Sequence, residues 1–205
     1  MHNEATIAHG HNHEHHHHHN EGDSLDVFGF WLYILTDCIL FGSLFATFIV
    51  LNDPASHGPA LKGYLDLHGI LIETFLLLVS NLTFCFAILS LNKSHIRRTQ
   101  LWLVITFILG ASFVYMELSE FASIAHEGFS WATSGQASSF FTLVGTHGLH
   151  VSFGLLWILV MIFQLPILKI THITKRRMTY LGLFWNFLDI VWIFVFTIVY
   201  LMGAV

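Results

Sequence analysis

The sequence carries very little charge. Asp, Glu, Lys and Arg make up 10% of its 205 residues, whereas 55% of the residues are hydrophobic. Soluble domains usually carry about a quarter charged residues, so a water-soluble globular domain is excluded. Cysteine is also scarce, since only Cys38 and Cys85 occur and both fall in apolar runs, which argues against a disulfide framework. Phosphate loops, nucleophile and base pairs, and basic patches suited to nucleic acid are absent from the sequence as well.

Long apolar runs are abundant instead. A hydrocarbon layer about 30 Å thick requires roughly 20 apolar residues in each spanning helix. The sequence contains five such runs, at about 27–51, 69–91, 100–124, 138–166 and 179–203. Because the connections are short, neighbouring helices are expected to run antiparallel. The sequence therefore predicts an all-α integral membrane protein, with residues 26–205 forming one five-helix bundle.

The basic residues predict the orientation of this bundle. Seven of the eight lie in two connections: Lys93, Arg97 and Arg98 between the second and third spans, and Lys169, Lys175, Arg176 and Arg177 between the fourth and fifth. Basic connections remain on the cytoplasmic side of a membrane. Five spans then place the N-terminus inside and the C-terminus outside.

Residues 1–25 have a different composition from the rest of the chain. Residues 1–20 hold nine of the sixteen histidines and contain neither Lys nor Arg. Such a segment cannot bury a core, and it is predicted to be a disordered cytoplasmic tail. Loose binding of transition metals and a merely solvated tail are both compatible with its composition, and the second interpretation is favoured.

Seven ionisable residues fall at membrane depth: Asp37, Glu73, Glu117, Glu120, His147, His150 and Asp189. A charge at a helix centre costs about 2.5–3.5 kcal/mol or more, so these side chains should face the bundle interior, a partner protein or water. The helical rise predicts one polar cluster in the outer half of the membrane, formed by Glu73, Glu117, Glu120, His147 and His150. Asp37 and Asp189 are predicted to lie near the midplane.

A metal or haem site competes with a packing role for this cluster. In LVGTHGLHVSFG (143–154) the two histidines lie three residues apart, side by side on one helix face, and cannot clasp a haem from its two sides. A di-metal site would need Glu-x-x-His on each of two helices, whereas here two glutamates share one helix and two histidines share another. Interhelical hydrogen bonds that fix helix register are therefore favoured, and no metal site is predicted. The di-metal enzyme and a proton-coupled transporter remain as alternatives.

Five segments carry a family resemblance. FGFWLYILTDCILFGSLFATF (28–48), ETFLLLVSNLTF (73–84), MELSEF (116–121), SSFFTLVGTHGLHVSFGLLW (138–157) and FWNFLDIVWIFVFTIVYLMG (184–203) resemble subunit III of the haem-copper respiratory oxidases. Five spans after a histidine-rich head are most similar to the bacterial ubiquinol oxidase branch. Subunit III of a cytochrome c oxidase is the alternative within the same family.

The resemblance implies an accessory subunit of a proton-pumping oxidase in the bacterial cytoplasmic membrane. Its haem and copper would belong to subunits I and II, and a small subunit IV would complete the complex. The implied roles are stabilising the catalytic subunit, holding phospholipid and guiding oxygen. Asp37 matches the family's carbodiimide-reactive carboxylate. Two departures limit the transfer: the first two spans of longer members are missing, so a complete lipid cleft is not expected, and Asn186 replaces a histidine.

Overall fold

Five long helices account for the described part of the chain. The computed structural model describes residues 17–51, 67–126, 135–168 and 171–201. The helices are α1 (His17–Leu51), α2 (Leu67–Asn92), α3 (Ile96–His126), α4 (Gly135–Leu168) and α5 (His172–Val195), and α5 continues as a short π-helix over Phe196–Leu201. All five are long and apolar enough to cross a membrane, and the described ranges contain no strand. The predicted all-α membrane fold with five spans is thereby confirmed.

The helices extend beyond the predicted apolar runs. α1 begins at His17 rather than near residue 27, and α5 begins at His172 rather than near residue 179. Hydropathy marks where a helix is apolar, whereas backbone hydrogen bonds decide where it begins, so polar end turns are missed. Residues 17–25, which the sequence assigns to the tail, are helical. The prediction for residues 1–16 lies outside the described residues.

A tight turn connects α2 to α3. The Ser94 amide donates to the carbonyl of Leu91 at 3.0 Å and the His95 amide to that of Ser90 at 3.1 Å. Ser94 adopts a left-handed backbone conformation with φ of 61°, which ends α2 and reverses the chain. The short connection makes the two helices antiparallel, as expected from the sequence.

Residue contacts divide the chain into one unit up to Asp37 and a second unit from Cys38 onward. In the second unit, α2, α3, α4 and α5 pack in chain order, and α5 returns against α2. These four helices therefore enclose the core. The part of α1 that belongs to this unit contacts α5, with the rings of Phe41 and Phe187 6.4 Å apart and those of Phe45 and Phe194 6.3 Å apart.

Two tryptophans attach α5 to α2. The indole N–H of Trp185 donates to the Ser80 hydroxyl at 3.2 Å, and that of Trp192 donates to the Thr74 hydroxyl at 3.1 Å. Trp185 and Trp192 lie seven residues apart and therefore share one helix face. Each such interhelical bond contributes about 0.6–2 kcal/mol in a membrane. Together they fix the register of α5 against α2.

Glycines make room for Trp185 between α3 and α4. A Cβ on Gly154 would lie 3.0 Å from the Trp185 ring, and one on Gly110 would lie 3.0 Å from the same ring and 2.8 Å from Leu155. All three distances are shorter than an ordinary van der Waals contact, which begins at 3.4 Å. These two positions therefore require glycine for close helix packing rather than for backbone flexibility.

Candidate functional site

Three carboxylates from two helices meet inside the second unit. Glu73 of α2 and Glu117 of α3 are 2% and 3% exposed, and Glu120, one turn beyond Glu117, is partly buried. Electrostatic contacts connect Glu73 with Glu120, and Glu117 with both. One oxygen of Glu73 and one of Glu117 are buried without a hydrogen-bond partner among the described residues. Because buried carboxylates repel one another, this acidic cluster needs protons, a cation or hydrogen-bond donors.

The two antiparallel helices bring these acids together. Glu73 lies six residues after the start of α2, and Glu120 lies six residues before the end of α3. With a rise of 1.5 Å per residue, each is about 9 Å from its helix end. The reversal at Ser94 places those two ends on the same side of the bundle. The sequence predicted this common level, and the structure adds that the side chains interact.

Glu117 rests directly on the backbone of α4. A Cβ at Gly148 would lie 2.6 Å from one Glu117 oxygen and 2.9 Å from its carboxyl carbon. Only glycine allows this approach at position 148. Gly148 therefore leaves the space that the Glu117 carboxyl group occupies. No pattern in the sequence predicted this role. The only signal for it in the sequence is that Gly148, a small residue, lies at the same predicted membrane depth as Glu117.

His147 is enclosed by aromatic rings and by α5. Its side chain is wholly buried, and its Nε2 lies 3.3 Å from the carbonyl oxygen of Leu188. Since a carbonyl can only accept, Nε2 carries the proton in this hydrogen bond. Ring centroids of Trp192, Phe113 and Phe41 lie 5.1, 5.9 and 6.4 Å from the imidazole. His147 therefore links α4 to α5 inside an aromatic shell.

His150 is held within its own helix. Its Nδ1 lies 2.8 Å from the carbonyl oxygen of Thr146, and its ring centroid lies 5.2 Å from that of Phe41. Both histidines thus contact the same ring of α1, as neighbours on one face of α4 would. Within the predicted outer cluster, the three glutamates interact with one another, and the two histidines share the ring of Phe41.

This geometry does not suit a haem or copper ion. The one ring nitrogen of His147 that has a partner bonds a backbone carbonyl, and the ring is closed in by Phe41, Phe113 and Trp192. The described residues contain no group of three or more His, Cys, Asp and Glu side chains placed to hold a metal ion. The contacts of His147 and His150 are those of residues that pack α4 against its neighbours.

The remaining two acids, Asp37 and Asp189, have polar neighbours of their own. Asp189 of α5 is 4% exposed, and the Asn81 side chain of α2 is its polar neighbour, although neither Asp189 oxygen has a hydrogen bond of ordinary geometry to the described residues. Asp37 belongs to the first unit, is buried, and interacts with the Tyr33 side chain one turn earlier on α1. Sequence reasoning singled out both aspartates but not Asn81 or Tyr33. The spacing of four residues between Tyr33 and Asp37 is the signal that could have identified that pair.

Comparison with known proteins identifies the family. The family model described as cytochrome c oxidase subunit III matches residues 3–204. The chain belongs to this family. The resemblance inferred from the five sequence segments is thereby confirmed.

Several relatives are similar over nearly their whole length. Cytochrome bo(3) ubiquinol oxidase subunit 3 of Pseudomonas aeruginosa is 53% identical over 178 residues, which cover 87% of this chain and 85% of the relative. The protein of the same name from Pseudomonas putida is 48% identical, with 90% and 89% covered. Cytochrome c oxidase subunit 3 of Bacillus sp. PS3 is 42% identical, with 86% of each chain covered.

These relatives favour the ubiquinol oxidase branch over the cytochrome c oxidase alternative. They are subunits of an oxidoreductase complex, and the family subunit is an accessory one rather than the catalytic one. Five helices able to span a membrane agree with a multi-pass membrane protein. A proton-coupled transporter and a di-metal enzyme find no support in these similarities.

Proposed function

We propose that this chain is the non-catalytic subunit 3 of a proton-pumping ubiquinol oxidase in the bacterial cytoplasmic membrane. The observation that carries the proposal is its 53% identity, over most of both chains, to a protein named as subunit 3 of such an oxidase. The chain's partners are then oxidase subunits I and II, which carry the haem and copper, and a small subunit IV. Electrons pass from quinol to oxygen in those partners and not in this chain.

The proposed role is to stabilise the catalytic subunit. The helices present large exposed apolar side chains, among them Trp31, Leu35 and Ile39 of α1, which are 56%, 56% and 65% exposed. In a membrane, such a face packs on lipid or on another membrane protein. Holding phospholipid and guiding oxygen toward the catalytic subunit are further roles consistent with the family.

Purification in a mild detergent tests this function. The chain should co-purify with haem-bearing subunits, visible as haem absorbance, and the complex should consume oxygen with ubiquinol as electron donor. Oxygen consumption with reduced cytochrome c and not with ubiquinol would favour the cytochrome c oxidase alternative. A chain that is purified alone and colourless, from cells that contain the other subunits, would contradict the proposal.

The orientation and the polar residues are part of the same proposal. The N-terminus is proposed to face the cytoplasm and the C-terminus the periplasm, on the strength of the basic connections. Glu73, Glu117, Glu120, His147, His150, Asp37 and Asp189 are proposed to maintain the packing of this subunit within the complex. Asp37 is proposed to anchor α1 rather than to carry protons during turnover.

A further inference from the structure

We propose that the groove between α3 and α4 seats a transmembrane helix of another oxidase subunit, which donates a hydrogen bond to Glu117. The inference rests on the proposed function and deepens it, because it assigns one contact surface to the partners of this chain. The groove holds a cavity of about 210 Å³. The cavity is lined by Glu117, Leu118 and Phe121 of α3 and by Gly148, Leu149 and Ser152 of α4, among others.

Glu117 is the residue that indicates an occupant. Its side chain is 3% exposed and lines the cavity, and its Oε1 has no hydrogen-bond partner among the described residues. That oxygen would lie 2.9 Å from a Cβ on Gly148, so it faces the α4 wall of the cavity. A buried acceptor without a partner destabilises the folded state. We therefore expect a donor to reach Glu117 through the groove.

The α4 wall of the groove consists largely of small residues. Gly145, Gly148 and Ser152 line it at spacings of three and four residues, which place them on one helix face. Ser152 is exposed, and its hydroxyl donates to the Gly148 carbonyl of its own helix at 2.8 Å. Its donor is therefore already used. Small residues at this spacing allow the backbones of two membrane helices to approach closely, so the wall suits a second helix.

Apolar side chains border the groove on both sides. Leu118 of α3 is 61% exposed and Leu149 of α4 is 70% exposed, and both line the cavity. The groove therefore opens on the outer surface of the four packed helices rather than into their core. In a membrane, such leucines contact either lipid tails or the apolar side chains of another helix. The need of Glu117 for a donor distinguishes these two occupants.

The depth of Glu117 favours a helix over a lipid. Glu117 lies nine residues before the end of α3 at His126, which is about 14 Å along the helix axis. The 31 residues of α3 span about 46 Å, so a centred hydrocarbon layer of about 30 Å leaves about 8 Å of helix outside it at each end. Glu117 then lies about 6 Å inside the layer. Acyl chains have no donor and head groups stay at the boundary, whereas a polar side chain of a membrane helix can donate at this depth.

Photo-cross-linking in the purified complex tests this contact. A benzophenone amino acid replaces Leu149 at the exposed edge of the groove, and mass spectrometry identifies the product. We expect this chain to be joined to a membrane-spanning segment of another oxidase subunit. Ser152→Leu fills the groove from its exposed edge and Glu117→Leu removes the acceptor, and each should lower the yield of that product by on the order of tenfold. Glu117→Gln keeps an acceptor oxygen and should retain most of the yield.

Cys85→Leu is the matched control, because it enlarges a small exposed residue of α2 outside the groove and should leave the yield unchanged. A product that joins two copies of this chain, that joins position 149 to residues 127–134 of the same chain, or that contains only lipid would overturn the proposal. So would a yield that survives either Ser152→Leu or Glu117→Leu. Haem absorbance of the same samples tests the proposed function separately. A chain without haem partners contradicts that function, whereas a lipid product formed with haem partners present contradicts only this contact.

Discussion

The contact between Glu117 and Gly148 predicts a measurable cost for a single added methyl group. A Cβ at position 148 would lie 2.6 Å from a Glu117 oxygen, whereas an ordinary contact begins at 3.4 Å. In Gly148→Ala the oxygen must therefore retreat by about 0.8 Å. Crowding of this kind typically costs about 1–3 kcal/mol.

A second effect opposes this cost. Alanine is favoured over glycine in a helix by about 1 kcal/mol. Gly148→Ala should therefore lower the free energy of unfolding by about 0–2 kcal/mol in the intact chain. In a Glu117→Ala background the clash is absent, and the same change should instead stabilise by about 1 kcal/mol. The coupling between the two sites is then about 1–3 kcal/mol.

Thermal unfolding of the purified complex in mild detergent measures this coupling across the four variants of the cycle. For a chain of this size, 1 kcal/mol corresponds to about 2–4 °C in Tm. Gly42→Ala is the control, because no atom lies within 4 Å of its added Cβ, and its Tm should not fall. If Gly148→Ala changed Tm equally with and without Glu117, the carboxyl would not rest on α4 and the reasoning would be refuted.

Three further predictions concern the other polar residues and the topology. Asp37→Asn should keep most initial oxidase activity, because it can still hydrogen-bond, whereas Asp37→Leu should weaken assembly by about 1–3 kcal/mol; a fully assembled Asn variant that is inactive from the first turnover would contradict this. Apolar replacement of His147 and His150 should leave haem content per catalytic subunit unchanged, since one bonds a backbone carbonyl of α5 and the other its own helix; stoichiometric haem loss in an assembled complex would be the contrary result. A reporter active only in the periplasm should be active after Val205 and silent beside Lys175, and the reverse pattern would show that the orientation is wrong.

The family and the spans could be predicted because both depend on local features of the sequence. An apolar run of about 20 residues has one stable outcome in lipid, which is a helix with its backbone hydrogen bonds satisfied internally. The predicted helix ends were less accurate, because α5 begins at His172 and not near residue 179. Polar residues in the first turns have no hydropathy signal, although their backbones continue the helix. The free-energy cost of placing a charge in the membrane also predicted that Glu73 and Glu117 are buried.

The sequence alone determined that this is a membrane protein of five helices, which residues resist burial in lipid, and which family the chain resembles. Tertiary structure alone decided how those residues are grouped. His147 and Glu117 were predicted at similar depth, but the rotation of each helix turns His147 toward Leu188 and Trp192 and lays Glu117 on Gly148. Depth follows from a count of residues at a fixed rise. Rotation about the helix axis is set by how all neighbouring side chains pack at once, and no short segment of the sequence records it.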